Sequence, residues 1–143
     1  MRSSVRVLPE LFLERLKKIV PSQKFDSVAN TFSDSKPTTF RVNSLKAERN
    51  LVKEELTREG FRLESISWYL DAFILREGRL KELEKTESYK KGEIYVQNLS
   101  SMIPPLVLDP KPGETALDLT AAPGSKTSQI AALMNQQGEL IAN

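Results

Sequence analysis

The sequence predicts a mixed α/β (α+β) chain in three parts. These are a small N-terminal helical segment (1–36), a ferredoxin-like split βαβ unit (37–97), and the first β-α-β of an incomplete Rossmann-like sheet (98–143). Three observations predict this fold class. Apolar residues recur three and four apart near the start, the middle alternates as strand-helix-strand-strand-helix-strand, and the end reads strand-loop-helix-strand.

The first part is predicted to hold two helices. Residues 9–20 form the first, because Pro9 suits a first helical turn and the apolar residues that follow fall close to one face. Pro21 breaks this helix, and a second is predicted from about Lys24 to Phe32. The polar stretch at 33–37 ends the second helix and marks a boundary.

The middle part has the order of a split βαβ unit, an architecture that includes the RNA recognition motif. Gly60 is the expected residue just past the end of its first helix. The stretch 91–96 matches only the first two positions and one aromatic of the RNA-binding RNP signature, so a turn leading into a core strand is the favoured interpretation. The predicted strands lie at 38–43, 61–68, 72–76 and 94–97, and the predicted helices at 48–59 and 80–88.

The last part is predicted to contain one parallel β-α-β unit. A helix is predicted to begin in the stretch 98–108, followed by a strand at 114–119 and a small-residue loop at 120–125. A helix at 126–136 then leads to the opening of another strand at 140–142. This order is the building block of a parallel sheet.

Composition narrows the chemistry. The 143 residues include no Cys and no His, which excludes disulfides, thiolate nucleophiles, His-ligated zinc and a Ser-His-Asp triad within the chain. Any catalysis within the chain would have to use carboxylates, Lys, Tyr or hydroxyl groups, which are poor materials for an unaided active site. No apolar run approaches the roughly 18 residues of a membrane span, and no signal-peptide core precedes Glu10, so the expected compartment is the cytoplasm.

Charge is spread unevenly along the chain. Residues 1–92 hold 19 Lys and Arg against 14 Asp and Glu, a net charge of +5, whereas residues 93–143 hold 2 against 5, a net charge of −3. A basic first part suits a polyanionic partner such as RNA. The alternative interpretation is an ordinary solvated surface.

The small-residue loop after the predicted strand is a candidate ligand site. In α/β sheets, ligands lie beyond the carboxyl ends of strands and against helix N-termini. Ala121, Ala122 and Gly124 allow a ligand to approach the backbone closely, and Lys126 favours a carboxylate or phosphate. Neither a Walker A loop nor a Gly-x-Gly-x-x-Gly pattern matches, because Ser125 separates Gly124 from Lys126 and the other glycines are absent.

Four segments resemble one family. Residues 118–127 resemble motif I of the NOL/NOP/Sun family of S-adenosylmethionine-dependent RNA cytosine-C5 methyltransferases. Residues 41–46 are similar to its Arg-x-Asn segment, residues 92–102 to its Gly-x-x-Tyr-x-Gln-x-x-Ser-Ser lead-in, and residues 138–143 to the strand after motif I. The ordered motifs extend from about residue 37 to the end of the chain.

This resemblance implies that the cofactor is S-adenosyl-L-methionine and that the loop contacts its methionine part. Asp118 would support the loop or the cofactor's amino group, or alternatively cap nearby backbone N–H groups. Family members often carry, where Thr120 stands, a Cys that is not the nucleophile. The predicted cofactor-binding residues are Asp118, Thr120, Ala121, Ala122, Pro123, Gly124, Ser125 and Lys126.

The resemblance also suggests RNA-binding residues in the middle part, at Arg41 and Lys46. The alternative for Arg41 and Asn43 is that, as alternate residues of one strand, they stabilise the junction between the two units. Gln97 is expected to pack against the methyltransferase unit rather than touch a ligand.

The resemblance implies that this chain is the N-terminal part of a truncated RNA methyltransferase acting on rRNA or tRNA. The family's cysteine nucleophile attacks cytosine C6, and the acidic residue that holds the cofactor's ribose would follow Asn143. We therefore predict no catalytic residue and no metal site in this chain, and we expect it alone to be inactive and to bind the cofactor weakly or not at all. Because the sheet is incomplete, residues 110–143 are expected either to be mobile in the monomer or to be ordered by self-association with a second copy. The alternatives are a free-standing RNA-binding module or another nucleotide-binding α/β domain.

Overall fold

The computed structural model describes residues 8–32 and 36–143 and shows the mixed α/β architecture predicted above. The boundary predicted at 33–37 falls partly on residues 33–35, which lie outside the described residues. None of the helices in the described part of the chain is long and apolar enough to cross a membrane.

Packing divides the chain into two compact units, residues 1–36 and residues 37–143. The second unit contains both the ferredoxin-like sheet and the parallel β-α-β segment. The stretches 37–97 and 98–143 therefore pack together in one unit, and their separation as domains stays a prediction.

The described residues of the first unit are mainly helical. Helix α1 spans Glu10–Ile19, and a 3₁₀ turn at Ser22–Lys24 leads into α2 at Phe25–Thr31. The rings of Phe12 and Phe32 meet edge to face, with 5.0 Å between their centroids. This contact joins the two helices and accounts for the apolar spacing seen in the sequence.

Four antiparallel strands in the order β2-β3-β1-β4 form the main sheet of the second unit, the ferredoxin-like order that the sequence predicts. Arg41 of β1 lies opposite Ala72 on one side and Tyr95 on the other. The strands are β1 at Thr39–Val42, β2 at Arg62–Ser65, β3 at Ala72–Glu77 and β4 at Ile94–Val96.

Helix α3 (Arg49–Arg58) connects β1 to β2, but the single helix predicted for 80–88 is wrong. Two short helices replace it, α4 at Leu80–Leu83 and α5 at Glu87–Lys90. Thr86 separates them because its backbone is extended and its hydroxyl accepts the N–H of Tyr89, which caps the start of α5.

One face of this sheet packs against the helices and forms the main core. Alternate strand residues point into it, as the period of a strand requires. The rings of Phe40 and Phe73 stack at its centre, 5.6 Å apart. The core comprises Phe40, Val42, Val52, Leu56, Phe61, Phe73, Leu75, Leu83 and Ile94.

The opposite face of the sheet is covered too. Helix α6 (Leu99–Leu108) lies against it, and Met102 packs with Ala72 and Ile74 in a second apolar cluster. In an RNA recognition motif this is the face on which bases stack. Residues 91–96 accordingly form a turn leading into a strand whose Ile94 is buried in the core, which confirms the interpretation favoured from the sequence.

The last segment is the predicted parallel β-α-β unit. Strand β5 (Thr115–Asp118) pairs in parallel with β6 (Glu139–Ala142), and α7 (Ser125–Leu133) connects them. The far side of this two-stranded sheet is open, and its exposed apolar side chains include Leu117, Leu119 and Ile141. A small cluster beneath α7 joins the three elements through Ala116, Ile130, Met134 and Leu140.

Candidate cofactor-binding site

The candidate loop lies where β5 ends and α7 begins. Gly124 is the residue immediately before α7, and its φ of 98° is a backbone conformation that residues other than glycine rarely adopt. The N–H of Gly124 donates to the carbonyl oxygen of Ala121 (2.6 Å), and the N–H of Ala121 donates to the carbonyl oxygen of Asn143 (3.0 Å). The loop is therefore a tight turn, tied to the end of β6.

Asp118 organises this turn. Its Oδ1 accepts the N–H of Thr120 (3.2 Å), and its Oδ2 accepts the hydroxyl of Thr127 (2.7 Å). One carboxylate thus joins the first residue of the loop to the first turn of α7. Asp118 therefore caps the backbone N–H of Thr120 and, through Thr127, connects the loop to α7.

The outer surface of the loop is open. Thr120, Ala122, Pro123 and Lys126 are exposed, and a Cβ atom built on Gly124 would meet nothing within 4 Å. No side chain caps the start of α7. Its first N–H groups, together with the positive end of the helix dipole and the Lys126 ammonium, suit a carboxylate or phosphate that approaches the backbone.

The inner side of the loop is held by the sheet of the ferredoxin-like part. Arg41 donates from Nη2 to the carbonyl oxygen of Ser125 (3.2 Å) and to the hydroxyl of Ser128 (2.8 Å). The Tyr95 hydroxyl donates to the carbonyl oxygen of Pro123 (3.2 Å). Two strands of this sheet therefore hold the loop and the first turn of α7, through Arg41 from more than 80 residues away and through Tyr95 from 28 residues away.

Comparison with known proteins decides the family. The family model described as "N-terminal domain of 16S rRNA methyltransferase RsmF" matches residues 8–99, more than half of the chain. The chain belongs to the RsmB/F methyltransferase family. A second model, described as "16S rRNA methyltransferase RsmB/F", matches residues 105–143. These matches confirm the resemblance to the NOL/NOP/Sun family that the motifs indicate.

RsmB/F relatives match nearly all of the chain or all of it, and they are much longer than it. A tRNA (cytosine(49)-C(5))-methyltransferase from Pyrococcus abyssi is 41% identical over 137 residues, which cover 92% of this chain and 41% of the relative. Ribosomal RNA small subunit methyltransferase F from Vibrio vulnificus is 39% identical over 147 residues, which cover 100% of this chain and 31% of the relative. The chain thus spans less than half the length of these relatives.

A solved structure confirms the fold class of this RsmB/F chain. The crystal structure of a methyltransferase homolog protein from Pyrococcus horikoshii matches with a TM-score of 0.82 at 35% identity. The match covers 94% of this chain and 44% of that chain. The ferredoxin-like sheet and the β-α-β segment therefore belong to an arrangement already seen in an experimental structure.

Arg41 is placed differently from the RNA-binding residue that we predicted. Its side chain is completely buried, and its Nε donates to Oε1 of Gln97 (3.1 Å). Burial lowers the pKa of the guanidinium, an effect that Tyr69, Tyr95 and Asp71 partly oppose. The prediction that Arg41 binds RNA directly conflicts with this burial, because α6 and α7 occupy the surface that RNA would need. The structure supports the alternative, a residue that stabilises the junction.

Lys46 lies on the surface, as an RNA-binding residue should. Its Nζ donates to the carbonyl oxygen of Lys91 (2.9 Å), which places the ammonium beside a second basic residue. Asn43 is partly buried, and its side-chain amide donates to the carbonyl oxygen of Gly92 (3.3 Å), so that it fixes the turn before β4. RNA binding by Lys46 stays a prediction.

Sequence reasoning missed the buried partners on the helix side of the junction. Gln129 is completely buried, accepts the side-chain amide of Gln97 (3.2 Å) and donates to the carbonyl oxygen of Met102 (2.9 Å). Tyr69 lies next to Gln129 in this buried region, and its burial is the main reason that the pKa of its hydroxyl is raised to about 12. The sequence offers one signal for Gln129: it is a polar residue beside the apolar side of a helix, and a buried polar side chain needs hydrogen-bond partners.

Proposed function

We propose that this chain is the part of an RNA cytosine-C5 methyltransferase that holds the methionine end of S-adenosylmethionine and contributes to RNA binding. Its substrate is ribosomal or transfer RNA in the cytoplasm. Support comes from membership of the RsmB/F family and from relatives named for both kinds of RNA. Because the relatives divide between rRNA and tRNA, the proposed substrate comprises both classes of RNA.

The observation that carries the proposal is the open loop at the carboxyl end of β5. The small residues Ala121, Ala122 and Gly124 place no bulky side chain between a ligand and the backbone, and Asp118 holds the turn in place. This is the position at which parallel α/β sheets bind their ligands. The loop fits a ligand that presents a carboxylate to the start of α7.

In this proposal the cofactor supplies a methyl group on a sulfonium centre. The chain's residues bind and orient it. The N–H groups at the start of α7 and the Lys126 ammonium attract the carboxylate of the methionine part. Asp118 keeps the loop in its open conformation through its bonds to Thr120 and Thr127.

Titration of the chain with S-adenosylmethionine and, separately, with ATP tests the proposal. Backbone amide chemical shifts are the readout, since they report weak binding residue by residue. We expect S-adenosylmethionine to shift the amides of 120–127 while the amide shifts of β2, the edge strand furthest from β4, remain unchanged. Larger shifts with ATP would favour the alternative nucleotide-binding domain, and shifts confined to other residues would contradict the site.

RNA binding is proposed for the exposed basic residues of the middle part, with Lys46 as the test position. A Lys46→Ala variant is expected to weaken binding of single-stranded RNA uniformly across sequences and to reduce the salt slope of log K by about 0.7 to 1, as for one lost phosphate contact. Fluorescence anisotropy at several salt concentrations measures both quantities.

Lys111→Ala is the matched control for Lys46→Ala, because Lys111 is an exposed lysine in the acidic last part of the chain. We expect it to leave the slope unchanged. An equal effect of both variants would indicate nonspecific attraction to net charge, and a salt-independent affinity of the unaltered chain would contradict the phosphate contacts.

Self-association is proposed for the open side of the β5–β6 sheet. Leu119 is 67% exposed, and Leu117 and Ile141 beside it are also about half exposed or more. Burying one leucine side chain contributes about 1.5–3 kcal/mol, so Leu119→Ser is expected to weaken association at least about tenfold in light scattering. Leu70→Ser, at an equally exposed leucine near the other sheet, is the control. A monomeric unaltered chain at high concentration would contradict this proposal.

A further inference from the structure

Arg41 is an unusual buried charge. Its guanidinium is completely covered, none of the ion pairs among the described residues includes it, and its Nη1 has no hydrogen-bond partner there. It also lies beside the positive end of α7, where a cation is unfavourable. Burying a cation without an ion pair costs stability, and Tyr69, Tyr95 and Asp71 offset only part of the effect of burial on this guanidinium.

The two bonded nitrogens of the guanidinium reach different elements. Nε donates to Gln97, the residue just after β4, while Nη2 donates to Ser125 and Ser128 at the start of α7. The planar fork of arginine allows both at once, which the single ammonium of lysine does not. Arg41 thus bridges the ferredoxin-like sheet and the helix that follows the loop.

Two neighbours on the same face of the sheet extend this bridge. Tyr95 lies directly opposite Arg41 in the sheet, and the guanidinium carbon of Arg41 is 5.3 Å from the centre of the Tyr95 ring. The Tyr95 hydroxyl donates to the carbonyl oxygen of Pro123 within the loop. Gln97 bonds Gln129 one turn further along α7. Three side chains of two adjacent strands therefore hold a continuous stretch from the loop into the helix.

We infer that Arg41 is a positioning residue that sets the conformation of the loop at 120–126 from the ferredoxin-like sheet. The identity of the ligand that the loop binds rests on the proposed function, whereas the contacts of Arg41 do not depend on it. Because Arg41 lies on a central strand, a displacement of that sheet moves the start of α7 with it. The ferredoxin-like sheet and the loop are therefore coupled through Arg41, with Tyr95 and Gln97 beside it.

Amide hydrogen exchange of the full chain tests this inference without any ligand. Arg41→Met keeps most of the side-chain volume and removes every donor. We expect exchange at 120–129 to accelerate about tenfold or more, the effect of losing charge-assisted hydrogen bonds, with little change at Phe40 and Phe73 in the main core. Arg76→Met, at an exposed arginine of β3, is the control and should change neither region.

Arg41→Lys provides a second test if Arg41→Met does not fold. It keeps the charge but only one donor group, so a smaller acceleration confined to 120–129 is expected. Uniform acceleration across both sheets would show a purely structural residue, and unchanged exchange at 120–129 would show that Arg41 does not hold the loop. Either result overturns the inference. Failure of the chain to bind S-adenosylmethionine would instead count against the proposed function alone.

Discussion

A Gly124→Val variant is expected to lose S-adenosylmethionine binding, with the amide shifts at 120–127 reduced at least about tenfold at equal ligand concentration. The space beside Gly124 is open in the protein, so the valine side chain would project to where the ligand approaches the backbone. Valine is also unfavourable at a φ of 98° and would displace the start of α7. Both effects act on the proposed carboxylate site.

Gly113→Val is the matched control for Gly124→Val. Gly113 has a similar φ of 90° and equally open surroundings, but it lies before β5, at the opposite end of the strand from the loop. It should carry the same backbone strain without blocking the ligand. Unchanged binding by the Gly124 variant would show that the loop is not the site, and equal losses in both variants would assign the effect to stability.

A Gly138→Ala variant is expected to destabilise the β-α-β segment strongly, lowering the free energy of unfolding by about 3 kcal/mol or more. A Cβ atom on Gly138 would clash with the backbone oxygen of Glu114 and would lie 2.9 Å from the terminal methyl of Met134. That oxygen accepts the N–H of Glu139 (3.0 Å), the bond that begins the pairing of β5 with β6. The backbone must move, and this bond is lost.

Urea unfolding measures this effect, with Gly113→Ala as the control. Gly113 shares the positive φ but has nothing within 4 Å of the added carbon, so its alanine variant isolates the strain, about 1–2 kcal/mol. The difference between the two variants reports the close approach at Gly138. Equal destabilisation would mean that the segment accommodates the added methyl group without losing the pairing.

Much of the fold could be predicted because local pattern and tertiary structure agree here. In β1, Phe40 and Val42 alternate with Thr39 and Arg41, and the structure places the first pair in the main core and the second on the opposite face. The helix at 80–88 was the exception. There the hydroxyl of Thr86 competes for a backbone N–H and starts a new helix.

The candidate site was predictable for a related reason. Residues 118–126 lie together because they are consecutive, so their chemistry could be interpreted without any knowledge of long-range contacts. The partners of Asp118 are equally local, since Thr120 and Thr127 are two and nine residues away. The position of the loop at the end of a parallel strand followed from the strand-loop-helix order alone.

The sequence by itself therefore determined most of the elements, the family and the loop, all of which depend on neighbours in the chain. Only the tertiary structure decided the role of Arg41. Alternation assigns it to the face away from the main core, but it does not say whether water, RNA or another element covers that face. Here α6 and α7 cover this face, so Arg41 is buried rather than exposed. From more than 80 residues away it bonds Ser125 and Ser128 at the start of α7.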